Sequence, residues 1–175
     1  MSRVIAYTCR LVLDELAPGR DAAFVVQLLN EPGFLHNIGD RGVRDQQTAG
    51  AYITHQVHSY RDNGFGLWRL SDRQGGQSLG ICGLVRRAGL RCPDLGYAVL
   101  QAAWSQGYAT EAALAALDYA RESLGISMLA AVTKPYNAAS QRVLNKLGFK
   151  NDGVVELPGE AEPSSYFSLR LALRS

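Results

Sequence analysis

Between Asp94 and Leu124 the hydrophobic pattern changes period once, and that change narrows the fold more than any other feature of the chain. Asp94 to Leu100 reads as a strand and Gly107 breaks the pattern. Ala113, Leu117, Ala120 and Leu124 then recur at helical spacing, opposite Glu111, Asp118 and Glu122. A strand that hands over to a long amphipathic helix through a glycine calls for a sheet with a helix packed on it. The 175 residues suffice for one such domain, and 47% hydrophobic against 19% charged residues is globular composition. The expectation is a single α/β domain spanning 1–175.

Around this junction the other elements follow from period and punctuation. Thr8 to Leu13 predicts a first strand with Cys9, Leu11 and Leu13 on one side, ended by Pro18-Gly19. Asp21 is the expected cap of a helix carrying Phe24, Val25, Leu28 and Leu29, stopped by Glu31-Pro32-Gly33. Phe34 to Arg44 has no usable period and is expected to be a loop. Asp45 caps a second helix whose face is Ala49, Tyr52, Ile53, Gln56, Val57 and Tyr60, closed by Asn63-Gly64. Phe65 to Leu70, Ser78 to Val85 and Asp94 to Leu100 predict an antiparallel meander. Met128 to Val132 is a strand and Asn137 to Leu147 a helix. Tyr166 to Leu173 is a last strand with Phe167, Leu169, Leu171 and Leu173 on one side. The expected order is βααβββαβαββ.

Several function classes are disfavoured. The net charge is +2 and the arginines are scattered, so nucleic acid is not an expected partner. Arg86, Arg87 and Arg91 read as a solvated hairpin end. Three cysteines without a CxxC spacing fit a reducing cytoplasm, and no stretch has the length of a signal peptide or membrane span. His55 and His58 stand three apart but lack a third ligand, so no metal is expected. Cys82 and Cys92 have no base beside them, which argues against a thiol nucleophile.

The run Trp104-Ser105-Gln106-Gly107-Tyr108-Ala109-Thr110-Glu111-Ala112 sits where a strand opens into a helix. The first amides of a helix lack partners and carry the positive end of its dipole, so a pyrophosphate can be held there without a basic side chain. Gly107 and Ala109 are small enough to let phosphates approach the main chain. Downstream, Asn137-Ala138-Ala139-Ser140 leads into Arg142-Val143-Leu144-Asn145-Lys146-Leu147-Gly148-Phe149.

These two motifs, in this order, resemble the GNAT acyltransferase superfamily, in particular its Rim-type branch, which acetylates ribosomal-protein N-termini. The family's phosphate loop reads Gln/Arg-x-x-Gly-x-Gly/Ala; Gly107 and Ala109 match it, and Trp104 departs from it at the Gln/Arg place. Asp94-Leu95-Gly96-Tyr97 resembles the start of the family's fourth strand, and Asn30-Glu31-Pro32 the end of its first helix.

The resemblance implies a mostly antiparallel mixed sheet with helices on both faces and a V-shaped cleft where two central strands splay apart. Acetyl-CoA, the implied cosubstrate, would lie in that cleft. Its pantetheine arm would pair with the main chain near Val99 and Leu100, and its pyrophosphate with the amides of Gln106, Gly107, Tyr108, Ala109 and Thr110. Asn137 would contact the arm from the other side. The implied catalytic residues are Asp94, as base toward the acceptor ammonium, and Ser140, as proton donor to the departing thiolate, with His36 a weaker alternative base. The implied activity is direct transfer of acetyl to an amine, either a protein N-terminus or a small molecule. A GNAT-like domain that binds CoA without catalysis is the alternative. Monomer and homodimer both stay open.

Overall fold

The computed structural model describes residues 2–172. In chain order it has β1 (Val4–Tyr7), β2 (Leu11–Asp14), α1 (Pro18–Asn30), α2 (Pro32–Asn37), α3 (Gln46–Asn63), β3 (Leu67–Asp72), β4 (Ser78–Val85) and β5 (Asp94–Val99). A single turn of 3-10 helix at Gln101–Ala103 follows, then α4 (Tyr108–Glu122), β6 (Met128–Thr133), α5 (Ala138–Lys146), β7 (Lys150–Val155) and β8 (Ser164–Arg170). The sheet order is β1-β2-β3-β4-β5-β6-β8-β7, and every neighbouring pair is antiparallel except β5 and β6. Among the described residues no helix is long and apolar enough to cross a membrane.

The sheet separates two apolar layers. Trp68, Leu70, Cys82, Leu84, Leu95 and Phe167 pack against α4, whose contact face is mostly alanine (Ala112, Ala113, Ala116, Ala120). Small side chains let that helix lie close to the strands. On the other face Ile81, Leu67 and Ala98 meet Val25, Leu28, Leu29 and Ile53 of α1 and α3. The period-two rule explains the division along β5: Leu95, Tyr97 and Val99 join the α4 layer, while Ala98 joins the other.

Three expectations need correction. The single first strand is a hairpin, because Thr8 turns the chain by accepting the Leu11 amide on its hydroxyl at 2.9 Å while its own amide bonds Leu11 O. Such a turn leaves the alternation intact and is invisible to period counting. Asp21 is not the cap of α1. Pro18 is already suited to the first helical position, so the helix starts earlier, and the buried Asp21 carboxylate reaches back to the Ala17 amide at 2.8 Å. The supposed loop from Phe34 contains α2, a helix of 6 residues and too short to display a period. By contrast, Asp45 caps α3 as expected, in a reciprocal box with Thr48, and Gly64 closes it at φ 77°. The last strand ends at Arg170, with Phe167 and Leu169 facing the α4 layer; Leu173 lies outside the described residues.

Candidate functional site: the cleft between β5 and β6

β5 and β6 are registered at one pair only, Asp94 with Ala130, where the Ala130 amide bonds Pro93 O at 2.9 Å. Beyond it the strands part. On its other side β5 runs in register with β4, with Gly80 opposite Val99, and the Leu100 amide donates to Leu79 O at 2.8 Å. Antiparallel pairing uses the main chain of alternate residues, so Leu100 and Ala98 are committed to β4, and Tyr97 and Val99 turn theirs toward the opening. Leu100, expected to help line the cleft, is buried in the α1–α3 layer and does not line it. The opening belongs to a cavity of about 700 Å³.

At one end of this cavity stands the start of α4. Gly107 is its N-cap at φ 81°, and among the described residues no side chain caps the helix. Gly107, Tyr108, Ala109 and Thr110 line the cavity and Gln106 does not; the Gln106 carbonyl instead accepts Arg10 Nη1 at 2.9 Å. Arg10 is a residue the sequence reading passed over. From the β1–β2 turn its guanidinium pairs with Glu111 at 2.6 Å and stacks on the Tyr108 ring at 4.5 Å. Thr8 and the Arg10 amide complete the Glu111 shell at 2.6 and 2.9 Å. These contacts fix the glycine turn to the sheet.

Trp104 explains its departure from the family pattern by two contacts. Its indole Nε1 donates to Val99 O at 2.7 Å, and its ring lies on Gly33 of α2, where a β-carbon would stand 2.3 Å from Cη2. Gly33 thus marks a close approach that any other residue would block. The Gly33 amide also donates to Gln101 Oε1 at 2.9 Å, which ties α2 to the connection between β5 and α4.

Asp94 and Ser140 both line the cavity. Asp94 is 1% exposed; Oδ2 accepts Arg87 Nε at 3.2 Å and Oδ1 has no hydrogen-bond partner among the described residues. Burial pushes its pKa up and the Arg87 charge pulls it down, with a net rise. Arg87 is therefore no idle hairpin residue, a correction to the sequence reading. Ser140 Oγ lies 2.8 Å from the Tyr97 hydroxyl, whose pKa burial pushes up to about 12. Asn137 caps α5 by accepting the Ser140 amide at 3.1 Å, and it also lines the cavity. By strand alternation Asp94 belongs to the α1–α3 side of β5 and Tyr97 to the α4 side, so the opening joins the two faces of the sheet.

The remaining candidates stand apart. His36 does not line the cavity; its ring lies 4.9 Å from the Tyr136 ring and its carbonyl accepts the Tyr136 hydroxyl at 2.7 Å. His55 lines the cavity and His58 does not. Among the described residues no three His, Cys, Asp or Glu side chains gather as a metal site. Cys82 is fully buried and its thiol is pushed up to about 12, which keeps it protonated.

Comparison with known proteins agrees with this architecture. A family model described as an acetyltransferase (GNAT) domain matches residues 10–150. The uncharacterized protein YkkB of Bacillus subtilis (strain 168) is 32% identical over 132 residues, 74% of this chain and 76% of its own. An acetyltransferase from Agrobacterium tumefaciens str. C58 shares the fold with a TM-score of 0.81 at 22% identity, covering 97% of this chain and 95% of that one. RimJ of Mycobacterium smegmatis, solved in complex with CoA-disulfide, shares it with a TM-score of 0.74 at 21% identity, covering 97% and 85%. With its splayed central strands and a matching family model over most of its length, the chain belongs to the GNAT acetyltransferase family.

Proposed function

We propose that the protein, acting as one domain in the cytoplasm, transfers acetyl from acetyl-CoA to a primary amine by direct attack in a ternary complex. The observation that carries this reading is that the uncapped start of α4 and the unpaired edge of β5 open into one cavity. A helix start without a side-chain cap leaves amides free for phosphate oxygens, and Arg142 and Lys146 on α5 add positive charge to the same lining. Tyr97 turns its main-chain groups toward an amide-bearing arm, and Val99, whose carbonyl is held by Trp104, turns its N–H there. These residues fit acetyl-CoA, which supplies an acetyl group activated as a thioester.

Within this reading Asp94 takes a proton from the acceptor ammonium, for which its raised pKa suits it. The Val99 amide supplies a donor for the developing oxyanion. Ser140, backed by the Tyr97 hydroxyl, returns a proton to the departing sulfur. The Rim-type motifs support a protein N-terminus as one acceptor. Acetyl-CoA is expected to raise the melting temperature by mass action, and neither NAD nor ATP to displace it. A scan without a shift at saturating acetyl-CoA counts against the reading.

Two substitutions separate loop geometry from ligand binding. Gly107→Val puts a β-branched residue at φ 81°, a strain of roughly 1–2 kcal/mol, so stability and acetyl-CoA affinity are both expected to fall. Circular dichroism melts and the KM for acetyl-CoA measure the two effects. Arg10→Ala leaves that backbone alone but frees the phosphate loop, and it is expected to raise the KM for acetyl-CoA about tenfold. The KM for S-acetyl-pantetheine, which has no pyrophosphate, should hardly move. An equal loss with both donors assigns Arg10 to the fold alone.

A further inference from the structure

On the α1–α3 side of the opening the cavity is walled by Leu67, Ile81 and Ala98 of the sheet and by Phe34, Ile38 and Tyr52 above them. This is where an acceptor would approach Asp94. Its charges are unevenly distributed. Two carboxylates line the cavity and both already hold a cation, Asp94 with Arg87 and Glu160 with Lys134 at 3.1 Å. Arg41, in the connection between α2 and α3, lines the same cavity and has no carboxylate partner among the described residues. The acids nearest to it in sequence are committed elsewhere: Asp40 pairs with Arg44, and Asp45 caps α3.

Beside Arg41 stands Tyr52. Its hydroxyl has no hydrogen-bond partner among the described residues, and the Arg41 charge acts on it. Burial pushes the phenol up to about 12, so the group remains a hydrogen-bond donor near neutral pH. A guanidinium and a phenol O–H, both donors without an acceptor among the described residues, face one partly apolar chamber. A carboxylate satisfies both, and the planar guanidinium fork suits its two oxygens through charge-assisted hydrogen bonds. A polyamine would meet the opposite situation, several positive charges entering a space whose carboxylates are already paired and whose wall carries Arg41. Neighbouring guanidinium groups also favour the neutral form of the reacting amine, the form that attacks.

We infer that Arg41 and Tyr52 form a receptor for a carboxylate carried by the acceptor, so that the acceptor class is an amine with a carboxylate within reach, not a polyamine. The inference deepens the acetyltransferase reading and rests on it. The carboxylate can be that of a free amino acid or an acidic side chain next to a peptide N-terminus, and matched acceptors separate the two.

Initial rates of CoA release are measured with four acceptors: phenylalanine, phenylalaninamide, a seryl-aspartyl peptide amide and its seryl-asparaginyl counterpart. Spermidine is the fifth. In at least one pair the carboxylate member is expected to have the higher kcat/KM by about tenfold or more. Arg41→Gln, on an exposed connection, should shrink that ratio toward one through the acceptor KM, and Tyr52→Phe should shrink it less. A higher kcat/KM for spermidine than for every carboxylate acceptor overturns the inference and leaves the acetyltransferase reading standing. So does a ratio that Arg41→Gln does not change. If acetyl-CoA binds and no acceptor releases CoA, the underlying reading itself fails, and the receptor assignment with it.

Discussion

Replacing Asp94 with asparagine is expected to lower kcat by roughly a hundred- to ten-thousandfold near neutral pH, the range set by loss of a general base. The substitution keeps volume and shape at a site that is 1% exposed, so the fold should tolerate it and acetyl-CoA should still bind. The sign of the pH dependence follows from the raised pKa. Below it the wild-type carboxyl is protonated and cannot accept a proton, so activity rises as pH rises through that pKa. In Asp94→Asn this limb disappears, and what remains tracks deprotonation of the amine itself. The defect is therefore largest between that pKa and the amine's own: it narrows below the first, where the wild-type base is itself protonated, and shrinks above the second as free amine becomes available. A variant as active as the parent at every pH removes Asp94 from proton transfer and moves attention to His55, which lines the same cavity.

The largest stability effect is expected at Arg69→Met. Arg69 donates to both oxygens of Asp14, at 2.8 and 3.0 Å, and approaches Asp21 at 3.9 Å. Arg20 closes the network, reaching Asp14 at 2.8 Å and Asp21 at 2.7 Å. The network joins β2, α1 and β3, and the carboxylate side chains are 7% and 2% exposed. Removing one cation from a buried pair leaves its partner uncompensated, at a cost of about 3–5 kcal/mol. Against a total stability of roughly 5–15 kcal/mol, that is a large fraction. Arg20 softens the loss, so the lower end is expected. Urea denaturation of Arg69→Met measures it, with Arg61→Met as control: the Arg61–Asp62 pair is exposed and screened by solvent, so its loss should hardly move the midpoint. A change at Arg69 no greater than at Arg61 would show that packing alone holds α1 on the sheet.

What could be read from the sequence was local. α4 was legible because its apolar stripe is long, and α3 because Asp45 and Asn63-Gly64 state its ends chemically. β4 was legible in full from Ser78 to Val85, since the turn residues on both sides punctuate it. The β1–β2 turn and α2 were not, one because alternation runs through it and the other because 6 residues hold less than two turns.

For the cleft the boundary between legible and illegible is the same. The motifs named the helix start and the two proton-transfer candidates, all of which line one cavity. Long-range contacts were out of reach: Arg10 meets Glu111 across 101 residues, and Trp104 meets Gly33 from another layer. Leu100 and Gln106 were placed in the lining by position along the motif alone. Strand register turns the Leu100 amide to β4, and Gln106 directs its carbonyl to Arg10, neither of which spacing can reveal.

The most direct test of the account is whether an amine becomes acetylated at the expense of acetyl-CoA. Purified protein, acetyl-CoA and a carboxylate-bearing amine are incubated together, and acetylated product and free CoA are quantified by mass spectrometry and thiol titration. The account predicts one acetylated amine for each CoA released, at a rate that Asp94→Asn lowers by about a hundredfold or more under the same conditions. Acetyl-CoA that stabilises the protein yet is consumed with no amine, whether offered as an amino acid, a peptide N-terminus or a polyamine, would contradict it and identify the cleft as a CoA-binding site without transfer.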